Sequence, residues 1–539
     1  MTLPAGPAVV SRPAVAGPPS RDPAGGLGSY RDSCAVGPLW MRAVPPVVTL
    51  AVMLYGIQRP SYWRDEAATL AAVRRPFGAL IAMLSNVDAV HGVYYMMMWA
   101  VVRLFGSGEL ATRLPSALAM TAASAGVAAI GCRLVSPRAG LFAGLVLAAL
   151  PQVSWYGQDA RSYAVVMALA TTASYLLVRL LGAGGPRRGW LAAYGLALTA
   201  LGLVNIFGLL LIPAHGLTVA LALRHGESRE ENRQARRSLL AGWLTVAAVA
   251  CAVASPLIAA AWEQRAQEHW LKTPGIRMLA ALRYLVGPSA LAAAVLLIIG
   301  CAIAVSAVGG RVRASANWPA RIPALCLPWL LLPAAVLLAG SLIQPVYTLR
   351  YVLYSLPALA LLAGTALAAL RRAAGAIALA LVVLIGLPAQ AGVRSRSAHG
   401  DNIRLADDIV AAARRPGDAV LYANAAARNM AAAYPDGLAA LRNIALAGAP
   451  APTGTLAGTY WPAAEVRRRL AHVRRIWVVE VGAASPQRLP LLEGLRFRLV
   501  RSWRPSDIWL LLYRHRNRPY YRHREPRRVR TAAVTRRSP

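Results

Sequence analysis

Long apolar runs separated by short polar loops occupy most of the chain up to residue 392. A run of about 20 apolar residues has the length of an α-helix that crosses the hydrocarbon core of a bilayer. The pattern predicts about eleven such spans. They lie at 38–57, 114–132, 138–153, 163–182, 189–204, 206–223, 239–261, 289–308, 322–343, 352–370 and 374–392. Residues 38–392 are therefore predicted to form a polytopic α-helical membrane domain.

One apolar run is too short to count as a span. Residues 93–105 would form roughly 20 Å of helix, against a hydrocarbon core of roughly 30 Å. We predict an amphipathic helix on the outer interface, with Tyr94, Tyr95, Trp99 and Arg103 at the level of the lipid headgroups.

The arginine-rich loops predict the orientation, because cytoplasmic loops retain positive charge. When 93–105 is left out of the spans, five arginine-rich loops fall on one side, at 133–138, 187–188, 224–237, 311–321 and 371–372. The N-terminus is then cytoplasmic. The first outer loop, 58–113, and the chain after residue 392 are extracytoplasmic, as in a multi-pass plasma-membrane protein.

The two ends of the chain differ in composition from the spans. Residues 1–37 are rich in Pro, Gly, Ala and Ser, which predicts a disordered cytoplasmic tail. Beyond residue 393, helical and strand-like patterns alternate and predict a small α/β domain over 393–514. Its helices are expected at 402–415 and 462–475, and its strands at 418–423, 476–481, 495–503 and 508–513. A basic, disordered tail is expected over 515–539.

The net charge of +36 comes almost wholly from arginine, since Lys272 is the only lysine. This bias fits a GC-rich genome better than nucleic-acid binding. We therefore expect membrane lipids as partners and no nucleic acid.

An acidic pair, Asp65 and Glu66, lies just beyond the first span. The chain is 57% hydrophobic with only 22 acidic residues, so adjacent carboxylates at a membrane exit stand out. Neighbouring helix residues point about 100° apart, so one carboxylate can face a reacting hydroxyl while the other orients it or holds a cation. We predict Asp65 as a catalytic base with Glu66 beside it. The alternative is a solvated first helical turn.

Positively charged residues usually lie on the cytoplasmic side of a membrane protein, so those predicted on the outer face need an explanation. The residues concerned are Arg113, Arg161, Arg265, Lys272 and Arg350. An anionic lipid phosphate would supply that reason. The alternatives are headgroup anchors at Lys272 and Arg350, an intrahelical pair of Arg113 with Glu109, and a local ion pair of Arg161 with Asp159.

Four segments, in this order, resemble motifs of the GT-C class membrane glycosyltransferases. The resemblance is to glycosyltransferase family 39, the protein mannosyltransferase and aminoarabinose transferase branch, of actinobacterial type. The segments are Trp63-Arg64-Asp65-Glu66, His91-Gly92-Val93-Tyr94-Tyr95, Glu109 to Ser116 and Trp155 to Tyr163. Gly92-Val93 stands where the family usually has two prolines, which puts any metal site at His91 in doubt.

The resemblance implies an inverting transfer of mannose, or of another hexose or pentose, from a polyprenyl-phosphate sugar. The acceptor would be a hydroxyl of a cell-envelope glycan, lipid or protein on the outer membrane face, with Asp65 as the catalytic aspartate. Such a reaction needs a base for the acceptor and positive charge for the departing phosphate. We assign the phosphate to Arg161, Arg350, Lys272 and Arg113, with His91, Asp159, Tyr163 and Tyr351 in support.

A divalent cation is a further expectation, with Glu66, His91 and Asp159 as its possible ligands. A lone histidine is more often a hydrogen-bonded structural residue than a ligand. Two other functions compete with sugar transfer: a multi-span transporter and a catalytically silent envelope-assembly subunit. Transporters place polar residues near the bilayer midplane in repeated halves, whereas here the charges lie at the outer boundary. The intact acidic pair argues against the silent subunit.

Overall fold

The structure is a computed structural model that describes residues 38–182, 188–224, 230–268, 271, 321–482 and 490–516. Helices α1 to α14 form the first part of the chain. They are Trp40–Leu54, Arg64–Val73, Phe77–Leu84, Gly92–Phe105, Glu109–Leu134, Pro137–Ala149, Pro151–Gly157, Tyr163–Leu181, Arg188–Val204, Leu211–Arg224, Glu230–Glu263, Arg321–Gly340, Leu356–Ala369 and Arg372–Val393. Short 3₁₀ helices lie at Ala89–His91, Ile206–Leu210, Arg265–Glu268 and Leu349–Ser355.

The predicted spans that fall within the described residues coincide with helices. In the part of the chain that the structure describes, seven helices are long and apolar enough to cross a membrane. An eighth arises if α6 and α7, which meet at a 67° bend, are one broken span. The bend lies at Leu150-Pro151, because the residue before a proline is driven out of the helical conformation. The predicted span at 289–308 lies outside the described residues, so the number of spans stays a prediction.

Helix α5 is central to the helical region and packs against α1, α6 and α8. Small residues allow close approach, as is common between membrane helices. A Cβ added to Gly140 of α6 would lie 2.3 Å from the carbonyl oxygen of Ala128 in α5. At Gly364 of α13, an added Cβ would lie 2.3 Å from the backbone nitrogen of Ala143 in α6. These positions accept only glycine without a shift of the helices.

Helix α4, Gly92–Phe105, confirms that the short apolar run is helical. Its position on the membrane interface stays a prediction. Tyr94 and Tyr95 are 2% and 0% exposed, because they pack against apolar residues of α2 and α3. These two side chains therefore do not face lipid headgroups, in contrast to the expectation. Trp99 is half-buried and its indole N–H donates to the Arg75 carbonyl at 3.1 Å.

The C-terminal region is an α/β unit, as predicted. Its helices α15 to α18 are Ile403–Ala413, Ala425–Arg428, Ala463–Leu470 and Pro490–Gly494, with further 3₁₀ helices at Asn429–Ala432 and Leu438–Ala440. Its strands β1 to β7 are Ala419–Tyr422, Arg442–Asn443, Leu446–Gly448, Thr459–Tyr460, Arg475–Val481, Phe497–Trp503 and Ile508–His515. Strand β7 thus extends through His515, the first residue of the predicted tail.

Five of these strands form one sheet in the order β2-β1-β5-β7-β6. Strand β1 is parallel to β2 and β5, whereas β7 is antiparallel to β5 and β6. Every residue of β5 is buried, as expected for a central strand that is covered on both faces. The short strands β3 and β4 form a separate antiparallel pair.

Helix α2, in the segment between α1 and α5, packs into this C-terminal unit. Ala67 and Leu70 of α2, with the preceding Tyr62, share one apolar core with residues such as Ile403 and Trp477. The opposite side of α2 faces the helical region, since the Thr69 hydroxyl donates to the Ala160 carbonyl at 3.1 Å. The acidic pair is therefore held between two parts of the molecule.

Candidate active site

Helix α2 carries both carboxylates in its first turn. It begins after Trp63, whose backbone is extended at φ −114° and ψ 176°. Carboxylates in this position interact favourably with the positive end of the helix dipole. Because successive residues point about 100° apart, Asp65 and Glu66 reach different partners.

Asp65 pairs with Arg350. Arg350 lies in the 3₁₀ helix Leu349–Ser355, and its Nη1 donates to Asp65 Oδ2 at 2.7 Å. The side chains of Arg350 and Asp65 are 18% and 22% exposed. The Arg350 guanidinium also lies over the Tyr351 ring, 5.8 Å from its centroid. This carboxylate is therefore both paired and accessible.

Glu66 pairs with Arg113, and both side chains are fully buried. Arg113 Nε and Nη2 donate to the two Glu66 oxygens at 2.8 and 2.7 Å. The remaining donors reach the carbonyls of Ile57, Pro60 and Ser61. Arg113 thus uses all of its N–H groups inside the protein. No donor is left for a phosphate, in contrast to the expectation, and the pair with Glu109 on the same helix does not form.

Arg161 lies in the loop between α7 and α8. Its Nη2 donates to His91 Nε2 at 3.0 Å. Burial lowers the pKa of His91 well below its usual value, and the charges of Arg161 and Arg350 lower it further. His91 is therefore a neutral acceptor. The charge of Asp65 acts electrostatically on both Arg161 and Arg350, but the direct hydrogen bond is to Arg350.

Asp159 is a buried carboxyl group beside this cluster. Its Oδ1 accepts from the Trp63 indole N–H at 3.1 Å, and its backbone carbonyl accepts from the Ser116 hydroxyl at 2.6 Å. Burial raises the pKa of Asp159 well above its usual value, and the Glu66 charge raises it further. Among the described residues Asp159 makes no ion pair with Arg161, so that alternative does not hold.

The structure brings most of the predicted residues together and leaves others apart. Asp65, Arg350, Arg161 and His91 form one cluster. Tyr163 borders it, since the charges of Arg350, Arg161 and Asp65 act on its hydroxyl. Lys272 lies outside the described residues. Within the described ranges, no group of three His, Cys, Asp or Glu side chains could hold a metal ion.

Sequence reasoning missed the residues that the C-terminal region contributes. Asp401 binds Arg64, and Arg404 binds Glu109, across separations of 337 and 295 residues. His399 lies between Trp63 and Trp155, with ring centroids 5.5 and 4.3 Å away. Arg64 stood inside a recognised motif, but nothing local indicated its partner.

A family model described as dolichyl-phosphate-mannose-protein mannosyltransferase matches residues 92–262. Two crystal structures of ArnT from Cupriavidus metallidurans, one bound to undecaprenyl phosphate and one in the apo state, are similar over 87% of this chain and 97% of theirs. Their sequence identities to this chain are 15% and 16%, and the TM-scores are 0.53 and 0.55. The chain has the GT-C fold.

This finding confirms the resemblance predicted from the four motifs. A GT-C architecture with many apolar helices is that of a multi-pass membrane protein. Together, the family match and the fold support a glycosyltransferase. A search of curated proteins finds no match.

Proposed function

We propose that the protein is an inverting glycosyltransferase that takes a sugar from a polyprenyl phosphate and transfers it to a hydroxyl group on the outer membrane face. The observation that carries the proposal is the accessible Asp65–Arg350 pair, with the positive charge of Arg161 acting on the same carboxylate. A carboxylate that can accept a proton here lies next to two guanidinium groups that can bind a phosphate. The reaction needs both charges at one place.

The reaction is a single displacement at the anomeric carbon. The acceptor oxygen attacks from the face opposite the phosphate, and its proton passes to Asp65. The bond between the anomeric carbon and the phosphate oxygen breaks, and its electron pair stays on the phosphate. Arg161 and Arg350 stabilise the charge that develops there, since guanidinium groups bind phosphate through parallel hydrogen bonds. One displacement inverts the configuration of the sugar.

The pairing of Arg350 with Asp65 suggests an order of events. While Arg350 donates to Asp65 at 2.7 Å, the guanidinium group occupies one oxygen of the carboxylate. A donor phosphate competes for the same guanidinium group. When Arg350 turns to the phosphate, Asp65 is free to accept the proton of the acceptor. Donor binding would therefore prepare the base.

Glu66 has a different role in this proposal from the one expected. Its Oε1 accepts from the backbone N–H of Ala160 at 2.9 Å as well as from Arg113. The carboxylate thus joins α2 to α5 and to the loop before α8, and it positions the site without touching the reactants. A divalent cation is not part of the proposal, because the described residues do not gather its possible ligands. Lys272 stays a candidate for the phosphate.

Mannose is the first sugar to test, because the matched family model is named for a mannosyltransferase. A polyprenyl carrier is supported by the undecaprenyl phosphate in one ArnT structure, which shares the fold. The acceptor is a glycan, lipid or protein of the cell envelope. Neither comparison points to a transporter, and the complete cluster of base and guanidinium groups argues against a silent subunit.

The proposed orientation places the N-terminus in the cytoplasm and the C-terminal region outside. A cysteine introduced at Gly458 should react with an impermeant reagent on whole cells, and one at Arg237 only after permeabilisation. The reverse pattern would move Asp65 to the cytoplasmic side and contradict the proposal.

The activity is tested with purified protein in lipid, polyprenyl phosphates that carry labelled mannose, another hexose or a pentose, and a cell-envelope fraction as acceptor. We expect transfer from one donor and an inverted anomeric configuration in the product, measured by NMR. Retained configuration would rule out the single displacement. No transfer from any of the donors would contradict the proposed function.

A further inference from the structure

The first turn of α2 is capped by a residue that lies 337 positions later in the chain. The helix starts at Arg64, and the preceding Trp63 provides no side-chain cap. The first four N–H groups of a helix need acceptors, which a local side chain usually supplies. Here Asp401 Oδ2 accepts from the Arg64 backbone N–H at 3.0 Å, across 337 residues.

The same carboxylate also holds the Arg64 side chain. Arg64 Nε and Nη2 donate to the two Asp401 oxygens, each at 2.9 Å. Bidentate bonds between charged groups are among the strongest hydrogen bonds in proteins. Asp401 is 1% exposed, so water offers little competition. Three hydrogen bonds therefore fix the residue directly before Asp65.

Asp401 is itself anchored in the C-terminal sheet region. It forms an antiparallel bridge with Ser506, and the Asp507 N–H donates to the Gly400 carbonyl at 3.2 Å. Two residues earlier, the His399 ring stacks on the Trp63 ring at an interplanar angle of 17°. The segment 399–401 thus contacts both residues that precede the acidic pair.

We propose that Asp401 is a positioning residue for Asp65, and through it the C-terminal region sets the geometry of the active site. This inference rests on the proposed function of Asp65 as a base. Helix α2 has ten residues, and so short a helix is not stable without tertiary contacts. A base must lie within hydrogen-bond reach of its proton, and a displacement of about 1 Å can cost about 10²-fold in rate. Asp401 holds the end of α2 where such a displacement would start.

The test uses Asp401→Ala, which removes the cap and the ion pair, and Asp401→Asn, which keeps one oxygen for the backbone N–H. Hydrogen exchange of residues 64–70 is measured in the full-length protein in lipid. We expect exchange about tenfold faster in Asp401→Ala, since a hydrogen bond to a buried charge is lost, and a smaller increase in Asp401→Asn. Unchanged exchange in Asp401→Ala would overturn the inference.

Kinetics provide the second measurement. The turnover number for transfer should fall by about 10²-fold in Asp401→Ala. The KM for the donor should change little, because the phosphate is bound by other residues. A higher KM with an unchanged turnover number would overturn the positioning role. Partial recovery of turnover in Asp401→Asn is expected, since the cap survives there.

A matched control is Glu109→Gln. Glu109 forms a second ion pair between the first outer loop and the C-terminal region, with Arg404, and it does not adjoin Asp65. We expect normal exchange of residues 64–70 in this variant. Equal acceleration in Glu109→Gln and Asp401→Asn would mean general loosening of the interface and would overturn the specific role. If the wild-type protein transfers no sugar, the proposed function fails, while the exchange data still decide whether Asp401 holds α2.

Discussion

Two ion pairs involve adjacent residues of α2. They have the same N–O distance but differ in how exposed they are to solvent. Asp65–Arg350 and Glu66–Arg113 both have a closest N–O distance of 2.7 Å. The first pair is about one-fifth exposed, and the second is completely buried. The cause is the turn of about 100° between neighbouring helix residues. One side chain points to an open cluster, and the other points into the packing between α2 and α5.

The difference shows how the surroundings decide what a carboxylate does. A buried pair in which every donor is satisfied is costly to break, because removing one partner leaves an uncompensated charge. A partly exposed pair can exchange its partner at little cost. We therefore assign chemistry to Asp65 and support to Glu66.

The largest effect is expected for Asp65→Asn, which keeps the size of the side chain but cannot take up the proton. A general base contributes about 10² to 10⁴-fold, so the turnover number should fall by about that factor. Donor binding, measured by direct titration with the polyprenyl-phosphate sugar, should persist. Near-normal transfer by the purified variant would show that Asp65 is not the catalytic base.

Arg113→Ala should act on stability. It leaves Glu66 charged and unpaired in a buried site, at a cost of about 3 to 5 kcal/mol in the free energy of unfolding. Thermal unfolding in detergent is the measurement. The double variant Glu66→Gln with Arg113→Met removes both charges and should recover part of the loss. An Arg113→Ala protein as stable as the wild type would mean that the buried pair is not a support.

Arg350→Lys should weaken use of the donor. Lysine keeps the charge but cannot make two parallel hydrogen bonds, so we expect the donor KM to rise by about tenfold. Arg265→Lys is the matched control, since Arg265 is also predicted to lie on the outer face and its Nη1 donates to the Trp262 carbonyl at 2.8 Å. An equal change in both variants would mean that Arg350 only anchors the chain at the lipid headgroups and does not bind the donor phosphate.

His91 should give the smallest effect, seen in the pH dependence of stability. The folded protein keeps the pKa of His91 well below the ordinary value of about 6.5 because the ring is buried beside Arg161. Between these two values the unfolded chain binds a proton that the folded chain does not, so stability falls as the pH drops below about 6.5. His91→Gln should reduce this slope in melting temperature.

The exposed His472 is the control for that measurement. His472→Gln should leave the slope as it is in the wild type. The same slope in His91→Gln and in the wild type would show that His91 is not held neutral.

The sequence by itself determined where the helices lie and which segment to examine. A helix that crosses a bilayer must satisfy its backbone internally and present about 20 apolar residues, so the spans are visible as runs. The strands of the C-terminal region were visible in the same way, as in β5 and β7. The acidic pair and the four motifs are local features of the chain. The motifs and their order along the chain predict a GT-C class glycosyltransferase.

Only the tertiary structure decided the partners. Arg350 is 285 residues from Asp65, Arg113 is 47 residues from Glu66, and Asp401 is 337 residues from Arg64. From the sequence, both Arg113 and Arg350 are candidates for the phosphate. The packing of α2 between the helical region and the C-terminal sheet buried one of these arginines and left the other accessible. The sequence shows that a side chain is charged. Its partner and its exposure depend on which distant segments pack around it.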